Sequence, residues 1–367
     1  MDVEHGNTED TKNERANTLR EVAFLQRVFL LRGCRKARWL MLEKRMFLNL
    51  QLLRAFAALN VVLFHAIITS ASYGYETNLI SSLEGWGENG VDIFFVISGF
   101  VMLLTQLENK RSVKDFLILR AIRIIPIYWL LTLLVIAIYM VAPIVFRTKV
   151  TSGEWVLASL GFLSNTIFDK MPVLYVGWTL EWEMLFYIVF GLSLWFRSWI
   201  TSLFVTSIVL LGVAFLASNY ILVEFIAGLL IALFYRRFGF KRFGALSLSV
   251  GLLLLSLSLL DSYRVLLANR VFLWGLPAMF IVYGVVTVPQ MKSKIGKMLG
   301  DASYSIYLIQ VFSIPAFYKF LTLLNVQLNN DLLIIACLIA TAIGGVAMHI
   351  FLEKPITVLL KRRIYAD

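Results

Sequence analysis

The chain has 367 residues, 59% of them apolar and 16% charged, with the charges clumped between long apolar runs; an average soluble domain is roughly 45–50% apolar and 25% charged, so a soluble enzyme is excluded and many membrane spans are implied. The formal charge of +11 follows from Lys and Arg gathered in the cytoplasmic loops of a polytopic protein, and nucleic acid is not needed as a partner to explain it. Cys34 and Cys337 lie far apart and suggest neither a disulfide framework nor a metal site.

Residues 1–47 read as a basic N-terminal tail. The first twenty are polar and charged, without the apolar core of a secretory signal, and Arg35, Lys36, Arg38, Lys44 and Arg45 precede the first apolar run, with Met41 and Met46 as alternative starts. Apolar stretches then predict spans at 48–70, 90–107, 124–144, 178–196, 201–217, 219–235, 244–260, 270–288, 302–322 and 331–352. Residues 155–168 are apolar but short and read as an interfacial or re-entrant piece, and 357–367 as a short basic cytoplasmic tail. Loops on one side carry seventeen Lys and Arg against six on the other, which puts both termini in the cytoplasm and requires an even number of spans. The expectation is an all-α polytopic membrane protein of about ten transmembrane helices.

Ionisable residues inside spans are costly unless paired or hydrated, so each marks a functional hypothesis. Arg54 and His65, eleven positions apart in the first span, share a helix face and are separated by roughly 16 Å along the axis. Asp92 opens the second span, and Glu181 and Glu183 open the fourth, so all three are expected toward the outer leaflet, where they could meet His65. An imidazole beside carboxylates can be held in one tautomer and serve as general base. The two glutamates point about 200° apart on a helix, so only one of them can face that partner. Toward the cytoplasm lie Arg54, Arg120, Arg123, Asp301, Ser303 and Glu353. Arg120 and Arg123, one helical turn apart at the start of the third span, could clamp phosphates. A phosphate site inside and a histidine outside suggest a vectorial reaction whose donor is a phosphate-bearing carrier with an extended arm. A proton-coupled transporter is the rival reading. No clear internal repeat and no matched pair of broken spans supports it.

At these residues the chain resembles the membrane-bound acyltransferase family three, in particular its stand-alone exopolysaccharide O-acetyltransferase branch. The matches run in order through residues 48–356: LRAFAALNVVLFH ending at His65, GVDIFFVISGF at 90–100, RAIRIIPIYW at 120–129, WTLEWEMLFY at 178–187, LGDASYSIYLIQ at 299–310 and EKP at 353–355. The resemblance implies a 48–356 membrane domain in the bacterial inner membrane that transfers an acyl group, commonly acetyl, from cytosolic acyl-CoA, without a metal, to a carbohydrate hydroxyl on an exported polysaccharide or its lipid-linked precursor. Lipid, glucan or protein acceptors and a succinyl donor are its variants, and polysaccharide-assembly proteins are further partners. The family's first-span pair maps onto Arg54 and His65, its Arg-x-x-Arg onto Arg120 and Arg123, and its glutamate onto Glu183. His65 is then the general base, with Glu183 or Asp92 orienting it, or else a covalent acyl relay. Arg54, Arg120 and Arg123 would bind the donor, and Trp178 and Glu181 would stand on the acceptor side. Many relatives carry histidine where this chain has Gln310, so no proton-transfer role is assigned there. The chain stops soon after the tenth span, which leaves acceptor handling to the membrane part or to a partner.

Overall fold

The computed structural model describes residues 47–75, 79–142, 152–196, 198–238, 243–267, 269–326 and 328–365. The expected N-terminal tail, Cys34 and the loop cations Arg147, Lys149, Arg197, Lys241 and Arg242 lie outside them. Among the described residues the secondary structure is helical throughout. In chain order the helices are α1 (Leu48–Ser72), α2 (Asn89–Glu108), α3 (Val113–Val141), α4 (Gly153–Leu160), α5 (Trp178–Ser193), α6 (Trp199–Leu216) and α7 (Leu222–Phe238). There follow α8 (Gly244–Leu257), α9 (Asp261–Leu266), α10 (Leu276–Thr287), α11 (Lys294–Asp301), α12 (Ser303–Leu323), α13 (Asn330–Met348) and α14 (Lys354–Tyr365). A π turn at Val271–Gly275 leads into α10, and another at His349–Glu353 joins α13 to α14.

Each expected span has a helical counterpart, but only seven stretches among the described residues are long and apolar enough to cross a membrane alone. The others are short: α8 has 14 residues and α7 has 17, or about 21 and 26 Å at 1.5 Å per residue, less than the ~30 Å hydrocarbon thickness. The apolar stretch from the π turn through α10, Val271–Thr287, falls in the same class. The expected interfacial piece is the eight-residue α4, capped by the Ser152 hydroxyl, which accepts from the Trp155 amide.

One boundary changes the reading of a motif. α3 begins at Val113, where the Ser112 hydroxyl accepts from the Asp115 amide at 3.1 Å. Arg120 and Arg123 therefore lie two to three turns inside a helix, not at its start. The cap satisfies an otherwise orphaned amide and lets the helix begin well before the apolar run.

α1 is the central strut. It packs on α2, α10, α11, α12 and α13, and Ala57, Ala58, Val62 and Ala66 on it are completely buried. Small residues let backbones approach closely where lipid supplies no hydrophobic drive between helices. The tightest instance is the crossing of α2 and α7, where a Cβ on Gly99 would lie 2.1 Å from the Phe225 carbonyl and one on Gly228 would lie 2.1 Å from that of Val96. Beside this crossing Phe225 stacks on Phe95 and Phe186, with ring centroids 4.5 and 4.4 Å apart. That stack joins α2, α5 and α7 into one wall.

Candidate active site

α1, α2, α3, α5 and α12 enclose a cavity of about 250 Å³. Its polar wall is made by Gln51 and Arg54 of α1, Ser98 of α2, Arg123 of α3, Glu183 of α5 and Tyr304 of α12. Residues 178–187 carry the acid here because helical spacing turns Thr179, Leu180, Glu183 and Tyr187 to one side, and all four line the cavity.

The Glu183 carboxylate accepts from the Ser98 hydroxyl at 2.7 Å and from the Tyr187 hydroxyl one turn along its own helix. Arg54 Nη1 donates only weakly, to Gln51 Oε1 at 3.4 Å. Among the described residues neither Arg54 nor Arg123 has a carboxylate within ion-pair distance. Two guanidinium groups thus face a cavity whose single acid, Glu183, is held by hydroxyls. Such an arrangement is suited to a polyanionic ligand, because incoming phosphates need not displace an existing ion pair.

Arg120 is placed differently. It is buried behind the wall, its guanidinium 5.8 Å from the ring centroids of Phe116 and Tyr187, and it is not among the lining residues. Of the three expected donor-binding arginines, the cavity thus brings together Arg54 and Arg123, from two helices, and leaves Arg120 outside its lining. Ser303 lines the same cavity, whereas Asp301 is bound by Lys297 at 3.0 Å and Glu353 by Ser305 and His349 at 2.6 and 2.8 Å.

Along α2 the lining runs from Met102 to Val91, about 16 Å of helix. The end at Val91 is level with Ala57 and Val61 of α1, which Gly90 touches, so the cavity stops about one turn short of His65. Phe94 and Tyr307, with ring centroids 6.4 Å apart, stand there. The Tyr307 hydroxyl lies 2.9 Å from the Val176 carbonyl and 2.8 Å from the Thr179 hydroxyl.

Beyond that wall His65 meets α12, which also lines the cavity. Its Nδ1 lies 2.9 Å from the Val61 carbonyl and 3.2 Å from Gln310 Oε1. The ring sits between Phe64 and Tyr175, at 4.9 and 5.1 Å between centroids.

The expected meeting of His65 with Asp92 and one of the two glutamates is not seen among the described residues, where its hydrogen bonds go to Val61 and Gln310. Asp92 is taken by Arg270, whose Nε and Nη2 donate to it at 3.0 and 2.8 Å while Nη1 pairs with Glu88 at 2.8 Å. A guanidinium with five donors satisfies both acids at once, so none of this charge is left for the imidazole. Glu181 is spent on backbone: its oxygens accept from the amides of Ser164, Asn165 and Thr166 at 3.0, 2.7 and 3.0 Å. Trp178, expected on the acceptor side, is the half-buried first residue of α5 and does not line the cavity.

The structure adds Gln51, Ser98 and Tyr304 to the cavity and Tyr175 and Gln310 to the surroundings of the imidazole. Buried Glu224 on α7 also stands near the Asp92 cluster, against Gly275. The rule that singles out intramembrane acids applies equally to Glu224, which falls within the expected span 219–235. The neutral residues carry no such signal.

The model of the acyltransferase domain family matches residues 47–350. The chain belongs to this family. It is an acyltransferase, and its apolar helices make it a multi-pass membrane protein. It is similar to the exopolysaccharide production protein ExoZ of Rhizobium meliloti (strain 1021), with 34% identity over 293 residues, covering 74% of this chain and 89% of the relative. No solved structure matches it.

Proposed function

We propose that this acyltransferase moves an acetyl group from cytosolic acetyl-CoA to a hydroxyl of an exported polysaccharide, or of its lipid-linked precursor, across the bacterial inner membrane, with both termini in the cytoplasm and about ten crossings. The observation that carries the reading is the pair Arg54 and Arg123, which have no carboxylate within ion-pair distance among the described residues, on the wall of a cavity that rises toward His65. The similarity to an exopolysaccharide production protein supports a carbohydrate acceptor.

The cavity's size sets what part of the donor it takes. Sites that bury a whole drug-sized ligand are ~300–1,000 Å³, so about 250 Å³ accommodates a pantetheine arm and thioester while the nucleotide stays at the mouth. Arg54 and Arg123 hold the diphosphate on the wall they share with Glu183, whose carboxylate is fixed by Ser98 and Tyr187. His65 Nε2 takes the proton of the acceptor hydroxyl as its oxygen attacks the thioester carbonyl. The C–S bond then breaks, and the CoA thiolate leaves with the proton returned from the imidazolium. For this transfer the thioester passes the Phe94 and Tyr307 rings, or those rings turn aside. Trp178 stacks on the sugar, and Asp92 and Glu181 hold the helices and the loop that frame the acceptor side.

The test uses purified protein in lipid vesicles with labelled acetyl-CoA and a lipid-linked oligosaccharide. His65→Ala is expected to abolish label transfer. Arg54→Ala and Arg123→Ala are each expected to raise the donor KM about 10- to 150-fold, the equivalent of one lost charge-assisted hydrogen bond at roughly 1.5–3 kcal/mol. Gradient-driven solute flux without acetyl-CoA consumption would establish the transporter instead.

A further inference from the structure

The Nδ1 atom of His65 faces two oxygens, the Val61 carbonyl one turn back on α1 at 2.9 Å and Gln310 Oε1 on α12 at 3.2 Å. A backbone carbonyl can only accept. The Gln310 amide is oriented independently of the histidine, because its Nε2 donates to the Tyr307 carbonyl at 2.7 Å. Turning the amide over would set its oxygen against that carbonyl and break the bond. Both neighbours of Nδ1 are therefore acceptors, and a ring with a bare Nδ1 would meet two lone pairs, one of them on the completely buried Gln310.

We infer that Gln310 is a positioning residue that locks His65 in the Nδ1–H tautomer, leaving Nε2 as the one basic nitrogen. In effect a neutral amide does the orienting work that a carboxylate does in hydrolytic triads, and it does so without burying another charge. This inference rests on the proposed role of His65 as general base. Because Gln310 neither gains nor loses protons, it offers the imidazolium no onward path for the proton accepted at Nε2. The geometry also accounts for a glutamine at the end of LGDASYSIYLIQ: its oxygen restrains the ring, and its nitrogen, tied to the preceding turn of α12, restrains the oxygen.

Two readouts test this. The first is nitrogen NMR of protein with ¹⁵N-labelled histidine in lipid, where a protonated ring nitrogen and a bare one resonate far apart. The chain has three histidines, and a His65→Gln spectrum assigns the signals. The neutral His65 ring is expected to show Nδ1 protonated and Nε2 bare, and Gln310→Leu is expected to mix the two tautomers. The second is acyl transfer. Gln310→Leu is expected to lower kcat about 5- to 30-fold, the Val61 carbonyl still restraining the ring, with KM for both substrates within about twofold. Gln310→Glu, as the neutral acid, keeps an accepting oxygen for Nδ1 and a hydroxyl to donate to the Tyr307 carbonyl, and is expected to recover kcat to within about threefold of the parent.

A protonated Nε2 in the parent protein, an unchanged tautomer in Gln310→Leu, or a Gln310→Glu variant as slow as Gln310→Leu would each overturn the inference. The NMR readout is independent of any substrate. A chain that holds the expected tautomer yet transfers no acyl group would overturn the proposed function and leave the inference standing.

Discussion

Replacing Glu181 separates two roles for this acid, contact with the acceptor and anchorage of a loop. Its carboxylate, 1% exposed, collects the amides of Ser164, Asn165 and Thr166. These lie in the segment that leads from α4 to Tyr175, the ring beside His65. A hydrogen bond to a charged group contributes roughly 1.5–3 kcal/mol, and deletions of bonds that share one acceptor group are not additive. Only Ser164 of the three is fully buried, so water replaces part of the loss at the other two. Glu181→Ala should then destabilise the protein by about 2–4 kcal/mol. Glu181→Gln keeps one oxygen for Asn165 and Thr166 but turns an NH₂ toward the Ser164 amide, and should destabilise by about 1–2 kcal/mol. Thermal unfolding in detergent, read in parallel with acetyl transfer, should rank the midpoints parent, Gln, Ala, and kcat should fall in the same order as Tyr175 loosens against the imidazole. An unchanged midpoint together with a raised acceptor KM would refute this and return Glu181 to sugar binding.

Gly228→Ala would drive a methyl group to 2.1 Å from the Val96 carbonyl. Overpacking of this kind typically costs about 1–3 kcal/mol, and more where backbone must yield. The variant should lose its monodisperse peak on size exclusion, whereas Gly212→Ala on α6, where nothing stands within 4 Å, should elute as the parent. Asp92→Asn removes one of the two acids on Arg270. Breaking a buried pair costs ~3–5 kcal/mol, but Arg270 is 28% exposed and keeps Glu88, so about 1–3 kcal/mol is expected once screening is allowed for. Transfer per folded molecule should stay within a few-fold of the parent. A hundredfold fall in kcat at an unchanged midpoint would instead place Asp92 in the chemistry.

What could be read from the sequence divides along physical lines. Apolar runs located the helices because burial in lipid is a local property of composition, and the eleven-residue spacing of Arg54 and His65 predicts a shared helix face because helical periodicity is local too. Glu183 was reachable for the same reason. Partner choice was not. Asp92 finds Arg270 across 178 positions, and His65 finds Gln310 across 245, and no periodicity reports such pairings. Arg270 reads as one more loop cation until the fold sets it over Asp92, and Glu181 reads as a spare acid until the turn after α4 presents three amides to it. The start of α3 was hidden because polar residues ahead of an apolar run extend a helix when a serine caps it, and hydropathy is blind to capping.

The last helical run, Asn330–Tyr365, is continuous over 36 residues, about 54 Å at 1.5 Å per residue. Its start is fastened to Ser70 at the far end of α1, through Asn330 at 3.2 Å, and it passes Ser305 beside the cavity before it ends. The run is about 24 Å longer than a hydrocarbon layer of ~30 Å, and its last turns bear Lys354, Lys361, Arg362 and Arg363. Cationic side chains at a membrane surface gain about 1 kcal/mol each from anionic lipid heads, and Tyr365 braces the tip against Asp115 at 3.4 Å. In the orientation proposed above the rod would work as a keel: sinking the bundle would drag its charges into oil and raising it would pull them from the heads, so the mouth of the cavity would stay level with the water's edge.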